Sequence, residues 1–249
     1  MSEKTLLEVR GLTKHFDGIV ALQNVSFSVH AGDVLGIVGP NGTGKTTLFN
    51  LIAGQLQPTK GSVLYQGESI TQKTPEWRVK AGIARTFQKT RLFYSLRVEE
   101  NIRLGCYLQE PSGIKPFALG ASSEQDRTLA QRVDAILDKT GLERYRDYPA
   151  AELSYGFQRR LELAIALGTD PRLLLLDEPF GGQSPQSAKE IGHLIHHLRN
   201  EGVTIMMIEH RMESIVAYCN RLFVMRDGRL VIPHQSPNEG GTSCSDLRT

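Results

Sequence analysis

The stretch "VLGIVGPNGTGKTTLFNLIAG" constrains the fold of this chain more than any other. Residues 34–38 read as a buried strand, and "TLFNLIAG" has helical spacing that stops at Gly54. Between them Gly39, Pro40, Asn41, Gly42, Thr43, Gly44, Lys45 and Thr46 match GxxxxGK[ST], and Thr47 leads on into the helix. Glycines let successive backbone N–H groups curl around a phosphate, and the helix N-terminus adds its partial positive charge. Lys45 is then placed for the β and γ phosphates of a nucleotide, and the Thr46 hydroxyl for Mg²⁺. A chance glycine turn would lack the flanking strand and helix.

A second apolar run, "RLLLLDEP", ends in two adjacent carboxylates. Asp177, at the strand's end, is placed to complete a Mg²⁺ shell. Glu178 falls on the other face of the pleat or beyond its end, where it can orient or deprotonate an attacking water. Pro179 breaks the strand. These features fit many phosphate-loop enzymes. A guanine-specific NKxD segment is missing, "LDKTG" being a poor substitute.

Further strands are expected at "LLEVRGL", "VSFSV", "VTIMMIEH" and "RLFVM", with helices near 185–200 and 211–219. That alternation describes an α/β chain with a mostly parallel sheet covered by helices. Residues 89–170 turn mainly helical around a Pro/Gly/Ser-rich loop, "QEPSGIKPFALGASS", and read as a lobe inserted into the sheet domain. The expected organisation is one domain over 1–249: a core of 5–88 and 171–232, the helical lobe 89–170, and a loose tail from 233.

With 249 residues, 40% of them apolar, the chain can bury a sizeable core, and a net charge of +2 points to no particular polyanionic partner. Cys106, Cys219 and Cys244 are scattered and odd in number, against a disulfide framework or structural zinc. The N-terminal "MSEKTLLEVR" is not a secretory signal, and no stretch approaches the ~18 to 20 apolar residues of a membrane span. Any membrane association is expected to run through a partner.

The stretch "LSYGFQRR", followed by a helix and then "LLLLDEP", resembles the signature segment of the ATP-binding cassette (ABC) ATPases. Other landmarks follow in that family's order over nearly the whole chain. Phe16 matches the aromatic that stacks on adenine, Gln88 the Q-loop glutamine that reaches the metal and the attacking water, and "FGGQSPQ" the D-loop. His210 matches the switch histidine at the γ phosphate. The resemblance implies a phosphate-loop core with an N-terminal antiparallel β subdomain and an inserted α-helical subdomain. It also implies ATP and Mg²⁺ as cofactors, and a head-to-tail dimer in which Ser154 and Gly156 bind the ATP of a second ABC subunit. Ser154 is a good N-cap, so that helix end is suited to an anion in its own right.

Within the family, "GIARTFQKTRLFYSLRVEENI", Tyr155 and "QRRLELA" are most similar to the ATPases of branched-chain amino acid importers, including their polar amino acid, urea and amide relatives. The implied partners are membrane permease subunits, docking over 89–101, and indirectly a periplasmic or extracellular substrate-binding protein. The implied location is the cytoplasmic face of the plasma membrane. A soluble ABC protein acting on nucleic acid or ribosomes is the rival reading, but such proteins usually carry a second cassette or a long coiled-coil insert. A regulatory partner of an active paralogue is the third.

Several residues depart from the family pattern. Phe157 replaces a Gln, Gln183 and Ser184 stand where Leu and Asn or Asp are usual, Arg211 stands where Asp is common, and the C-terminal extension is short. A lost neutral hydrogen bond is worth only about 0.5 to 1.5 kcal/mol, so a working ATPase is expected, with weakened dimer closure as its point of vulnerability. His193, His196 and His197 lack the Glu of an HExxH site and read as an exposed helix face. Trp77, Arg78 and Lys80 read as a solvated helix rather than a nucleic-acid surface, and no nucleic-acid partner is expected.

Overall fold

The computed structural model describes residues 4–87, 91–108 and 124–231. Two long strands, β1 (Thr5–Phe16) and β2 (Ile19–His30), pair antiparallel, and with β4 (Lys60–Tyr65) and β5 (Glu68–Ser69) they form a four-stranded sheet ordered β2-β1-β4-β5. Both strands run well past the segments expected from "LLEVRGL" and "VSFSV", through register shifts that include one between Val9 and Leu12.

The second sheet has six strands, ordered β10-β9-β3-β8-β7-β6. They are β3 (Val34–Val38), β6 (Ile83–Arg85), β7 (Leu173–Asp177), β8 (Thr204–Glu209), β9 (Arg221–Arg226) and β10 (Arg229–Val231). All but β10 are parallel to their neighbours. Side chains alternate between two cores: Leu174, Leu176, Ile205 and Met207 face one, and Leu173, Leu175, Met206 and Ile208 the other. Burial on both faces is why these strands read as unbroken apolar runs.

One core lies between this sheet, α1 (Lys45–Ile52) and the antiparallel sheet. The other joins it to α3 (Val98–Tyr107), α4 (Glu124–Thr140), α5 (Tyr155–Gly168) and α6 (Pro185–Asn200). Segments 109–123 and 233–249, expected as loop and tail, lie outside the described residues.

Two expectations need correction. The segment 211–219 holds only a 3₁₀ turn, Met212–Ser214, instead of a helix. Ile215 is buried there, and Tyr218 stacks on Phe180 with ring centroids 5.2 Å apart, so packing overrides helical spacing. The helix α2 (Pro75–Lys80) is not simply solvated, because Arg78 is 1% exposed. Its guanidinium donates to the Leu51 and Ile52 carbonyls at the end of α1 at 2.7 and 2.6 Å. It also donates to Ile70, Thr71 and Lys73 at 2.6, 3.1 and 3.2 Å. Burial pushes its pKa down to about 10, which still leaves it a cation at the negative end of α1 near neutral pH.

Candidate functional site

The parallel register sets three strand ends side by side. Val38 pairs with Glu209 and Asp177 with Ile208, so the phosphate loop, the Asp177–Glu178 pair and His210 leave the sheet at neighbouring carboxyl ends. Crevices at such ends are where open α/β sheets bind ligands.

Gly44 enters α1 with φ 99°, and a Cβ there would lie 2.4 Å from the Ala21 carbonyl oxygen of β2. Conformation and space both demand glycine. The β9–β10 turn closes the same corner, since Gly228 N–H donates to Thr43 O at 3.2 Å and Gln23 N–H donates to Gly228 O at 2.8 Å. The Thr43 hydroxyl donates to Pro40 O at 2.9 Å, and buried Lys45 donates from Nζ to Gly39 O at 2.6 Å and Pro40 O at 2.9 Å. Asn41, Gly42, Gly44, Lys45, Thr46 and Thr47, with Ala21 and Glu178, line a cleft of about 300 Å³. Larger grooves of about 510 and 440 Å³ lie elsewhere and contain none of these residues, so the convergence of charged and phosphate-binding groups, not volume, marks the site.

Burial lowers the pKa of Lys45, against the opposing pull of the Glu178, Asp177 and Glu209 carboxylates. Asp177 is buried, and its Oδ2 accepts from Arg85 Nη2 at 2.8 Å. Its Oδ1 is also buried and has no hydrogen-bond partner among the described residues. A buried carboxylate oxygen left to itself beside a threonine-bearing phosphate loop is a fitting donor for Mg²⁺, which takes hard oxygen ligands. Burial raises the Asp177 pKa, and Arg85 opposes that rise. Sequence reasoning missed Arg85, whose signal was a cation ending an apolar strand. Its guanidinium also bonds Asn50 and Gln55, and stacks over Phe49 and Phe87.

The strand β7 stops at Asp177, and Glu178 takes a left-handed φ of 49°. That conformation costs a non-glycine residue on the order of 1–3 kcal/mol. It turns the side chain out of the strand into the cleft. Glu209, a second residue the sequence did not single out, is buried behind the site. Its Oε1 accepts from Phe180 N–H at 3.0 Å, Oε2 lies 3.6 Å from His210 Nδ1, and burial raises its pKa. His210 itself is exposed.

Ser154, Gly156 and Phe16 do not line this cleft, and Gln88 lies outside the described residues. Phe16 ends β1, 40% exposed, with Lys14 Nζ 5.0 Å from its ring centre. Ser154 precedes α5, exposed, and its hydroxyl makes no capping hydrogen bond with its own helix. Gly156 sits against the first turn of α6, where a Cβ would meet Ser187 Oγ at 2.8 Å. Phe157 turns back into the lobe, 4.3 Å from the Tyr145 ring centre and beneath Arg160. Ser184 caps α6 by accepting from Ser187 N–H at 3.2 Å, a role that Asn or Asp fills equally well.

Fold and site together define a phosphate-loop nucleotide-binding ATPase. The family model described as ABC transporter matches residues 22–181. The chain is 35% identical over 227 residues to the high-affinity branched-chain amino acid transport ATP-binding protein LivG of Escherichia coli (strain K12), covering 90% of this chain and 89% of that one. A nucleotide-free ATP-binding cassette from an ABC transporter superposes with a TM-score of 0.81 at 33% identity, over 93% of this chain and 92% of the other. A dimeric bacterial ABC transporter cassette gives 0.80 at 26% identity, over 92% and 98%. The chain belongs to the ABC transporter ATP-binding family, and its activity is ATP hydrolysis. No helix among the described residues is long and apolar enough to cross a membrane.

Proposed function

We propose that this chain is the ATP-hydrolysing subunit of an importer for branched-chain amino acids or related polar amino acid, urea or amide substrates, held to the cytoplasmic face of the membrane by permease subunits. In this reading Lys45 and the loop amides hold the phosphates, Thr46, Gln88 and Asp177 hold Mg²⁺, and Phe16 stacks on adenine. When bound there, Mg²⁺ would supply neutralisation of charge on the β and γ phosphates. Glu178 orients or deprotonates the attacking water and His210 contacts the γ phosphate. The observation that carries the reading is a division of parts. Lys45 and Glu178 share one cleft, whereas Ser154, exposed and with its hydroxyl uncommitted to its own helix, lies outside that cleft's lining. One chain holds half of each site, so two chains placed head to tail complete both.

The docking surface for the permease is the segment 89–101, of which 89 and 90 lie outside the described residues, with the lobe residue Tyr148 beside it. Phe93, Tyr94 and Tyr148 are 59%, 43% and 48% exposed. Asn101, fully buried, holds the loop by donating to the Phe93, Leu96 and Arg97 carbonyls and accepting from Phe93 N–H. Two exposed aromatics on a braced loop, with Tyr148 beside them, suit an apolar helix end of a membrane partner.

The test is ATP turnover by the purified chain, alone and with its permease. Glu178→Gln is expected to lower turnover by about a hundred- to ten-thousand-fold while ATP binding persists. Normal turnover by that variant would refute the role of Glu178, and permease crosslinks that avoid Phe93, Tyr94 and Tyr148 would refute the docking surface.

A further inference from the structure

Beyond the nucleotide cleft, α5 carries a buried ion pair that reaches across to the end of β6. Arg159 Nη1 lies 3.0 Å from Glu162 Oε2, with the two side chains 5% and 6% exposed. Both partners also bind the backbone of one residue, Phe87, which directly precedes Gln88. Glu162 Oε1 accepts from Phe87 N–H at 2.8 Å, and Arg159 Nη1 donates to Phe87 O at 2.6 Å. A residue held through both its N–H and its carbonyl, on two successive peptide groups, cannot shift without its holder.

The same arginine extends the chain of contacts in the other direction. Arg159 Nε donates to Tyr155 Oη at 3.2 Å, and that hydroxyl donates to Gly181 O at 3.5 Å. A Cβ on Gly182 would meet the Tyr155 ring at 3.2 Å, and Gly181 N–H donates to Glu178 O at 3.1 Å. An unbroken run of hydrogen bonds thus leads from Phe87 through α5 to the backbone of Glu178. Its members come from segments more than seventy residues apart in the chain.

We propose that Arg159 and Glu162 are positioning residues forming a mechanical joint, which makes Phe87, the Ser154 end of α5 and the loop after Glu178 move as one body when nucleotide binds. Neither side chain touches the cleft lined by Lys45 and Glu178. Their effect is therefore on the assembly of the site rather than on nucleotide affinity. The inference rests on the ATP-driven dimer described above.

The test compares wild type with Arg159→Met and Glu162→Leu, and with Glu162→Gln, which keeps an acceptor for Phe87 N–H if the leucine variant does not fold. Steady-state turnover is expected to fall about 10- to 100-fold with KM for MgATP within about twofold, a size typical of misplaced catalytic groups. Glu162→Gln should recover part of the loss. Amide exchange over 153–157 and 181–184 should slow on adding MgATP in wild type and stay unchanged in Arg159→Met. Turnover within about twofold of wild type, a change confined to KM, or a wild-type exchange response in the variants would each overturn the joint. A wild-type chain that binds MgATP without turnover would instead overturn the importer-ATPase reading, and the exchange comparison would still be decisive for the joint.

Discussion

Arg78→Met keeps the aliphatic stem of a fully buried side chain and deletes its charge and donors. Arg78 makes five hydrogen bonds to carbonyls. Leu51 O and Ile70 O retain the Gly54 and Lys73 amides as second donors, whereas the guanidinium is the donor to Ile52, Thr71 and Lys73. Each buried acceptor left without a partner costs about 1–3 kcal/mol, so the Ile52 and Thr71 carbonyls suggest roughly 2–6 kcal/mol, and the part-buried Lys73 carbonyl adds less. Relief from burying a charge, and water entering the gap, work against the upper end, while the Lys73 carbonyl and lost packing work against the lower, leaving about 3–5 kcal/mol. For a chain of this size 1 kcal/mol moves the melting temperature by about 2–4 °C, so a fall of roughly 6–20 °C is expected. Calorimetry without nucleotide is the assay, with Arg78→Lys as a control that keeps the charge and recovers part of the loss. If Arg78→Met melted within about 2 °C of wild type, the claim that Arg78 anchors the end of α1 would be wrong.

Ser154→Arg should abolish ATP-dependent dimers in size exclusion while leaving ATP binding by the monomer intact; a variant that still dimerised with ATP would remove Ser154 from the second chain's site. Because burial raises the Asp177 pKa, its carboxyl takes up a proton at a higher pH than an ordinary aspartate. Protons then compete with Mg²⁺ for that carboxylate, so Mg²⁺-dependent nucleotide binding should weaken as pH falls while metal-free binding changes less. Equal pH dependence with and without Mg²⁺ would contradict this. Phe157→Gln forfeits its ring contacts with Tyr145 and Arg160, and an aromatic pair contributes about 0.5–1.5 kcal/mol beyond its buried area, so a modest drop in melting temperature is expected. Unchanged stability together with tighter ATP-driven dimers would show that Phe157 limits closure instead of packing the lobe.

The strands β3, β7 and β8 and the phosphate loop were legible because both faces of the sheet are buried and the loop's glycines leave a fixed spacing. Asp177 and Glu178 were legible as a pair. The left-handed turn at Glu178, which sends its side chain into the cleft, could be seen only in the structure. Arg85 and Arg78 were hidden for a common reason. An arginine reads as surface unless its acceptors are known, and those acceptors are backbone carbonyls and amide side chains distant in sequence as well as Asp177. The segment 211–219 misled because Met212, Ile215 and Cys219 have helical spacing and do pack on the core, but they reach it from a turn beside Phe180. The unusual Ser184 looked like a defect in the sequence and proves to be an ordinary helix cap.

The corner where Ala21, Thr43, Gly44 and Gly228 meet sets a timetable for synthesis. The phosphate loop is made early, but its backbone is braced by a turn near the end of the described chain. A ribosome must therefore translate past residue 228 before the loop has all its supports. Nucleotide capture by a growing chain should accordingly begin late and abruptly.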